Sequence, residues 1–386
     1  MNFDLRIPPL LRIGAGSIES IGEVTATLGS RRPLIVTDNY LASNGTAQRA
    51  AELLIAGGAQ PEIYDGTIPD PTTDSLADGL TALRRHDADS IVALGGGSPI
   101  DTAKALAVLA VRGGSMSDLK APYRYDGATL PVIAIPTTAG TGSESTMFTI
   151  ITDSASGEKM LCAGPSYMPS AAVVDYELTV SMPARLTADT GIDALTHAVE
   201  AYVSRKANPV SDTFALAAID RIGKHLRKAY ADGADVTARA EMMVAATMAG
   251  VAFSNASVAL VHGMSRPLGA HFHIAHGMAN AMLFAEVTAF SLSAAEGRYA
   301  DCSRTLGVAD ADDSNADAAE ALVRELRRLS TDLEVPTPAG RGIDRADWDA
   351  AVPTMAQQAI ASGSPANNPR IPSAEEIEGI FQRIYA

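Results

Sequence analysis

The chain has 386 residues, 47% hydrophobic and 19% charged, with a formal net charge of −15 at pH 7. That length and apolar content suit two domains with a core each, while the acidic excess repels phosphate backbones and anionic lipid, setting aside nucleic acid and membrane partners. Cys162 and Cys302 are too few for a disulfide framework and lack C-x-x-C spacing, and "MNFDLRIPPLLRIG" breaks any N-terminal signal run with Asp4 and two prolines, so a soluble, cytoplasmic protein is expected.

In chain order, "GAGS" at 14–17 imitates part of a dinucleotide fingerprint, but position 19 is Glu where a third glycine belongs and no good strand precedes it. Gly14 and Gly16 therefore read as turn residues. The β-branched runs "PLIVTD" (33–38), "SIVALGG" (90–96), "PVIAIPTT" (131–138) and "AAVVDYEL" (171–178) then alternate with helical patterns at 43–58, 73–86 and 98–111. Alternation of this kind predicts a parallel sheet flanked by helices. After "LTVSMP" the strand signal fades, and Ala-, Leu- and Met-rich stretches predict helices over 190–204, 209–231, 237–255, 278–294 and 315–333, with Pro183 and Pro209 punctuating helix starts. "GSPANNPRIPS" (363–373) reads as a mobile loop before a last short helix. The expectation is an α/β domain over residues 1–180 and an all-helical domain over 181–386.

Two stretches of the first half suggest a nucleotide. "IVALGGGSPIDTAKALAVLA" leads from an apolar strand through Gly95, Gly96 and Gly97 into a helix with Pro99 in its first turn. Such a loop lets backbone N–H groups and a helix N-terminus approach a pyrophosphate, although a plain tight turn between strand and helix would read the same. Asp38 ends the strand "LIVTD", where a carboxylate can bind ribose hydroxyls and repel a 2′-phosphate, favouring NAD over NADP, or can merely cap the helix starting near Leu41. The acidic strand end precedes the glycine loop, the reverse of the usual Rossmann order.

The second half suggests a metal. Asp193 and His197 stand four apart in "TADTGIDALTHAVEAY", on one helix face, with Glu200 three further on as an alternative carboxylate. A carboxylate with imidazoles suits Fe²⁺, Zn²⁺, Mn²⁺ or Ni²⁺, but an exposed Asp/His pair is the commoner reason for this spacing. Four of the seven histidines crowd into "VHGMSRPLGAHFHIAHGMAN" (261–280): His262, following the apolar helix expected at "NASVALV", His271 and His273 in the intervening loop, and His276 at the start of the next helix.

The segments "GGGSPIDTAKA" (95–105), "PTTAGTGSE" (136–144), "SMPARLTADTGIDALTHAVEAYVS" (181–204) and "VHGMSRPLGAHFHIAHGMANAMLF" (261–284) resemble, in order and separation, the motifs of the iron-containing (group III) alcohol dehydrogenases. The resemblance covers nearly the whole chain. It implies an N-terminal dinucleotide-binding α/β domain and an all-α metal-binding domain, the dehydroquinate synthase-like fold, with the active site in the cleft between them. It places metal ligands on Asp193, His197, His262 and His276, leaving out His271 and His273. It implies cofactor contacts at Gly96, Gly97, Ser98, Asp101, Thr137, Thr138, Thr141 and Lys159, and supports Asp38 as a selector of NAD. Fe²⁺ is the implied metal, with Zn²⁺ or another divalent ion as the alternative, and a homodimer is the implied assembly.

The implied chemistry is hydride transfer between a primary alcohol or aldehyde and the nicotinamide. Many alcohol-active members carry a histidine four residues after the third ligand, where this chain has Arg266. Arginine cannot shuttle a proton, so Arg266 either clamps an anionic group on the substrate or pairs with a neighbouring acid or a helix C-terminus and only shapes the pocket wall. Proton transfer then falls to His271 or His273, or to water and the cofactor ribose. Alternatives within the family are a hydroxyacid–oxoacid transhydrogenase and a maleylacetate reductase-like enzyme, the latter disfavoured by the full ligand set. Outside it stands a non-catalytic binding protein on the same fold.

Overall fold

A computed structural model describes residues 3–386. It divides into two compact units, Arg6–Ser181 and a second formed by Met182–Ala386 with the described residues 3–5.

The first unit is α/β. Its strands are β1 (Leu10–Ile13), β2 (Pro33–Asp38), β3 (Glu62–Thr67), β4 (Ser90–Gly95), β5 (Val132–Pro136), β6 (Phe148–Thr152), β7 (Lys159–Ala163) and β8 (Ala171–Val174), and its helices are α1 (Ile21–Thr27), α2 (Asn39–Ser43), α3 (Thr46–Ala56), α4 (Leu76–His86) and α5 (Gly97–Arg112). Six strands form a parallel sheet in the order β1-β8-β5-β4-β2-β3, and β6 and β7 pair separately as an antiparallel hairpin. The central strands are buried on both faces, which is why they read as unbroken apolar runs. Successive residues of β4 serve opposite layers: Ile91 and Ala93 pack with Ile100, Ala103 and Leu106 of α5, whereas Val92 and Leu94 pack with Ile35, Ile133 and Leu54. Each such Leu or Ile, fully buried, contributes about 1.5–3 kcal/mol.

The topology reverses between β2 and β4. From β2 the chain steps outward to β3, then returns past β2 to β4 and continues to β5 and β8. The crossovers leave in opposite directions there, opening a crevice at the carboxyl ends of β2 and β4, where open α/β sheets bind ligands.

Several local expectations need correction. A strand, β1, does precede "GAGS", but it is short and pairs at the sheet edge with β8. The N–H groups of Gly16 and Ile18 go to the carboxylate of Asp175, so this turn has no free donors for a phosphate at those positions. The run 171–178 is strand only to Val174, because Asp175 caps a 3₁₀ turn over Tyr176–Thr179.

The second unit is helical: α6 (Ala184–Val203), α7 (Pro209–Ala231), α8 (Val236–Ala256), α9 (Leu260–Phe272), α10 (His276–Ser291), α11 (Glu296–Leu306), α12 (Asn315–Asp332), α13 (Arg345–Ala361) and α14 (Ala374–Ile384). Pro209 opens α7 as its first residue, and the Asn208 side chain accepts from the N–H groups of Val210 and Ser211. Helix α8 is long and apolar enough to cross a membrane, yet most of it is buried within this unit. The stretch 363–373 is held down rather than loose. Asn367 donates to Ser257 Oγ and the Val258 carbonyl, Asn368 donates to Ser291 Oγ, and Pro365 lies where a side chain on Gly263 would collide with it.

Candidate functional site

In the α/β unit the carboxyl ends of β2, β4 and β5 stand side by side, with Val36 opposite Ala93 and Gly95 opposite Pro136. Gly95 leaves β4 with φ +151, a conformation strained for any other residue, and this turns the chain into α5. A Cβ on Gly96 would sit 3.2 Å from Thr138, and one on Gly97 3.2 Å from Thr141, so the glycine loop and the 137–141 loop touch backbone against side chain. Ser98 lies in the first turn of α5, whose leading N–H groups open beside them. Thr137 donates its N–H to the Gly95 carbonyl, and the buried Thr138 hydroxyl has no protein partner among the described residues.

The remaining residues of this group occupy less open places. Asp38 caps α2 by accepting from the Leu41 N–H at Oδ1, which engages one of its two carboxylate oxygens. Asp101 is half-buried, accepting from Ser143 Oγ (2.8 Å) and the Ile150 N–H (3.0 Å), and desolvation raises its pKa despite nearby Lys104. Lys159, on β7, pairs with Asp70 at 2.9 Å. Sequence reasoning passed over Lys104, whose ammonium lies 2.7–3.2 Å from five oxygens of Ser143, Thr146 and Phe148. A single buried cation thus ties the loop after β5 to α5. Burial pulls its pKa down to about 8, with Asp101 and Glu144 opposing.

In the helical unit Asp193 and His197 share one face of α6 and are 2% and 4% exposed, which removes the exposed-pair account. His262 stands in the first turn of α9, not after a helix, and His276 is the first residue of α10. One ligand atom from each of the four residues lies within 4.8 Å of all the others. Asp193 Oδ1 is 3.8 Å from His197, 3.5 Å from His262 Nε2 and 3.9 Å from His276 Nε2. His197 stacks between Phe253 and His262, fixing its ring plane.

Burial alone would raise the Asp193 pKa, but the charges of His197 and His276 and the contact with His262 outweigh it and hold the acid well below the usual carboxylate range. For His262 burial works downward, and Glu200 and Asp193 more than offset it. Glu200 is no member of the ligand ring. It approaches His262 from the opposite side, 2.6 Å from Nδ1.

The ring of acceptors fits a cation. The amide nitrogen of Asn280 stands within 2.6 Å of Asp193 Oδ1, 3.1 Å of His262 Nε2 and 3.2 Å of His276 Nε2, two N–H bonds facing three acceptors. Its own Oδ1 is buried without a partner among the described residues. One carboxylate and three imidazoles is a donor set for a first-row divalent metal.

His271, His273 and Arg266 are not members of that ring. His271 is helical, in the last turn of α9, exposed and bonded to Gln358 (3.1 Å), whereas His273 opens the short loop between α9 and α10 in the left-handed conformation. Arg266 lies one turn beyond His262 on α9, and its recorded hydrogen bond goes to Ser364 Oγ at 3.1 Å. Desolvation lowers its pKa to about 10, with Glu200 opposing, which leaves it charged at neutral pH. Both cysteines are buried, and burial pushes Cys162 up to about 12, which makes it inert.

Comparison with known proteins agrees across the whole chain. Residues 8–176 match the family model for iron-containing alcohol dehydrogenase, and residues 187–385 match the C-terminal model of the Fe-containing alcohol dehydrogenase family. The NAD-dependent methanol dehydrogenase of Bacillus methanolicus is 37% identical, the alignment covering 97% of this chain and 98% of the relative. A crystal structure of 1,3-propanediol oxidoreductase superposes with TM-score 0.95 at 35% identity, covering 100% of both chains. The NAD⁺ complex of sulfoacetaldehyde reductase from Bifidobacterium kashiwanohense superposes with TM-score 0.89 at 26% identity over 100% of this chain and 99% of that one.

Proposed function

From its membership of the iron-containing alcohol dehydrogenase family, to which the chain belongs as an enzyme of alcohol and aldehyde oxidoreduction, we propose that it is NAD-linked, depends on a divalent metal and acts on a short primary alcohol and its aldehyde. The convergence of Asp193, His197, His262 and His276 carries this reading. Asp38, at the carboxyl end of β2, supports NAD, as does a relative named as NAD-dependent. Iron is the metal the family name suggests, and zinc suits the same donors.

A cation held by these four residues supplies Lewis acidity toward a substrate oxygen, and the nicotinamide supplies or accepts the hydride. The chain's residues do the rest. Asp193 stays ionised and contributes the charge that three neutral imidazoles lack. Gly96, Gly97 and Ser98 offer N–H groups to the pyrophosphate, Thr137, Thr138 and Thr141 close on them, and Asp38 receives ribose hydroxyls. Asp101 and Lys159, engaged with Ser143 and Asp70, contribute to the cofactor pocket chiefly by holding its walls. Arg266 keeps its proton throughout the working range, so proton transfer falls to other groups, and His271 and His273 are the nearest remaining imidazoles along the chain. Unchanged pH–rate profiles for their alanine variants would remove them.

Arg266 favours a finer reading of the substrate. A desolvated guanidinium whose recorded partner is one hydroxyl has most of its five donors unspent, and its fork matches a carboxylate or sulfonate. A solved relative is named for the reduction of sulfoacetaldehyde, whose substrate carries such a group. The test is NADH oxidation by Fe²⁺-loaded protein on butanal and on succinic semialdehyde. Preference for the semialdehyde that collapses tenfold or more in Arg266→Ala supports the anion clamp, at about 1.4 kcal/mol per factor of ten. A ratio that the substitution leaves unchanged overturns it and leaves a neutral-alcohol enzyme. No turnover of either, with NAD retained through gel filtration, would move the assignment to a transhydrogenase.

A further inference from the structure

Glu200 is 3% exposed and seven residues after Asp193, so α6 carries Asp193, His197 and Glu200 along one face. Its two oxygens receive three donors: Oε2 accepts from the Ala259 N–H at 2.9 Å and meets His262 Nδ1 at 2.6 Å, and Oε1 accepts from the Val261 N–H at 2.6 Å. Ala259 and Val261 flank the start of α9, where N–H groups have no partner within the helix. The carboxylate therefore anchors the start of α9 from α6 and places His262, in that helix's first turn, against the ligand ring.

Building on the metal reading above, we propose that Glu200 is the positioning residue of the metal centre: it fixes His262 as the tautomer with hydrogen on Nδ1, leaving the Nε2 lone pair for the cation. Two contacts on opposite sides of the ring agree. A carboxylate can only accept, so Nδ1 must donate to it, and at Nε2 the Asn280 amide nitrogen stands 3.1 Å away as a donor to a lone pair. The reverse amide orientation would set two oxygens face to face at 2.6 Å beside Asp193. Neutral imidazole otherwise divides between two tautomers, only one of which presents a lone pair inward here, and a carboxylate behind a ligating histidine removes that division and raises its basicity. Glu200 also supplies a second buried negative charge, which with Asp193 balances a divalent cation among neutral imidazoles.

The experiment is metal titration of the metal-free full-length chain with Zn²⁺ in competition with a chromophoric chelator, and with Co²⁺ for its visible spectrum. Glu200→Gln cannot accept at both oxygen positions, and where its amide NH₂ faces His262 it turns Nδ1 into an acceptor and puts the hydrogen on Nε2. Zn²⁺ affinity should fall on the order of 10- to 100-fold, and the Co²⁺ spectrum should change in shape as His262 withdraws. In a double-mutant cycle Glu200→Gln should add little to His262→Ala, because Glu200 acts through that ring. If the amide variant does not fold, Glu200→Asp, which keeps the charge but draws it back by a methylene, should show the same loss. Affinity within twofold of wild type, or losses that add fully in the cycle, would overturn the proposal. A wild-type chain that binds neither ion would instead overturn the metal reading and take this inference with it.

Discussion

The cradle of the α/β unit is made mainly of main chain at the ends of β2, β4 and β5, where glycines bring N–H groups into the open and side chains serve as braces. The ligand ring of the helical unit is the reverse: side chains from α6, α9 and α10 form the site, and main-chain N–H groups of α9 serve to hold a side chain, Glu200, in place. The brace differs accordingly. In the cradle a buried cation, Lys104, collects carbonyl and hydroxyl oxygens, and behind the ring a buried anion collects N–H donors. A main-chain site is sensitive to added bulk, and a side-chain site to the identity of each donor.

Substitutions that damage one region and spare the other sharpen that contrast. The largest effect is expected from Asp193→Asn, which removes the one negative charge in the ligand ring. Turnover should fall on the order of 10²- to 10³-fold with loss of bound metal, while the NAD dissociation constant, read by fluorescence titration, stays within twofold. Cofactor affinity that fell equally would break the separation of the two regions. Gly97→Val is the converse. Its Cβ would meet Thr141 at 3.2 Å or less, and its branches would fill the pyrophosphate space, so NAD should bind at least about tenfold more weakly, ~1.4 kcal/mol, with Zn²⁺ affinity unchanged. Asp38→Gly is expected to narrow the preference for NAD over NADP several-fold in kcat/KM by removing repulsion of a 2′-phosphate. It should also cost some stability through loss of the Leu41 cap.

The remaining effect is on stability and concerns Lys104. Its pKa falls from 10.5 to about 8 in the folded chain. Below pH 8 the lysine is charged in both states, and the cost of burying that charge is fully present. Between pH 8 and 10.5 the folded chain has released a proton that the unfolded chain still holds, so this contribution to stability rises with pH. Thermal unfolding of wild type and Lys104→Met across that window should show a steeper upward pH trend in wild type, and parallel curves would refute the assignment.

Much of the fold was legible because buried parallel strands need apolar runs and their crossovers need helices, and both patterns lie within a few residues. The short strand β1 escaped because a four-residue edge strand leaves two prolines and an arginine in view. The Pro, Asn and Ser content of 363–373 suggests mobility, but its asparagines find acceptors in the turn between α8 and α9 and at the end of α10. His262 was placed after a helix because "NASVALV" is apolar. The helix in fact stops at Ala256 and restarts at Leu260, with the left-handed Ser257 between. Glu200 was visible only as a spare carboxylate, and Asn280 and Lys104 gave no signal, since their roles depend on atoms far off in the chain.

By itself the sequence determined the α/β and helical halves, the glycine turn after β4, the pairing of Asp193 with His197 and, through four motifs in register, the family. All of these are properties of spacing within one segment or of segment order. Only the tertiary structure decided which acid stands among the three clustered histidines and which one lies behind His262, that His271 and His273 are not members of the ring, and that Arg266 faces no carboxylate partner within salt-bridge reach among the described residues. Those outcomes depend on distances of a few ångströms between α6, α9, α10 and the 364–367 turn, and helix packing sets such distances through the whole core rather than through any local pattern of residues.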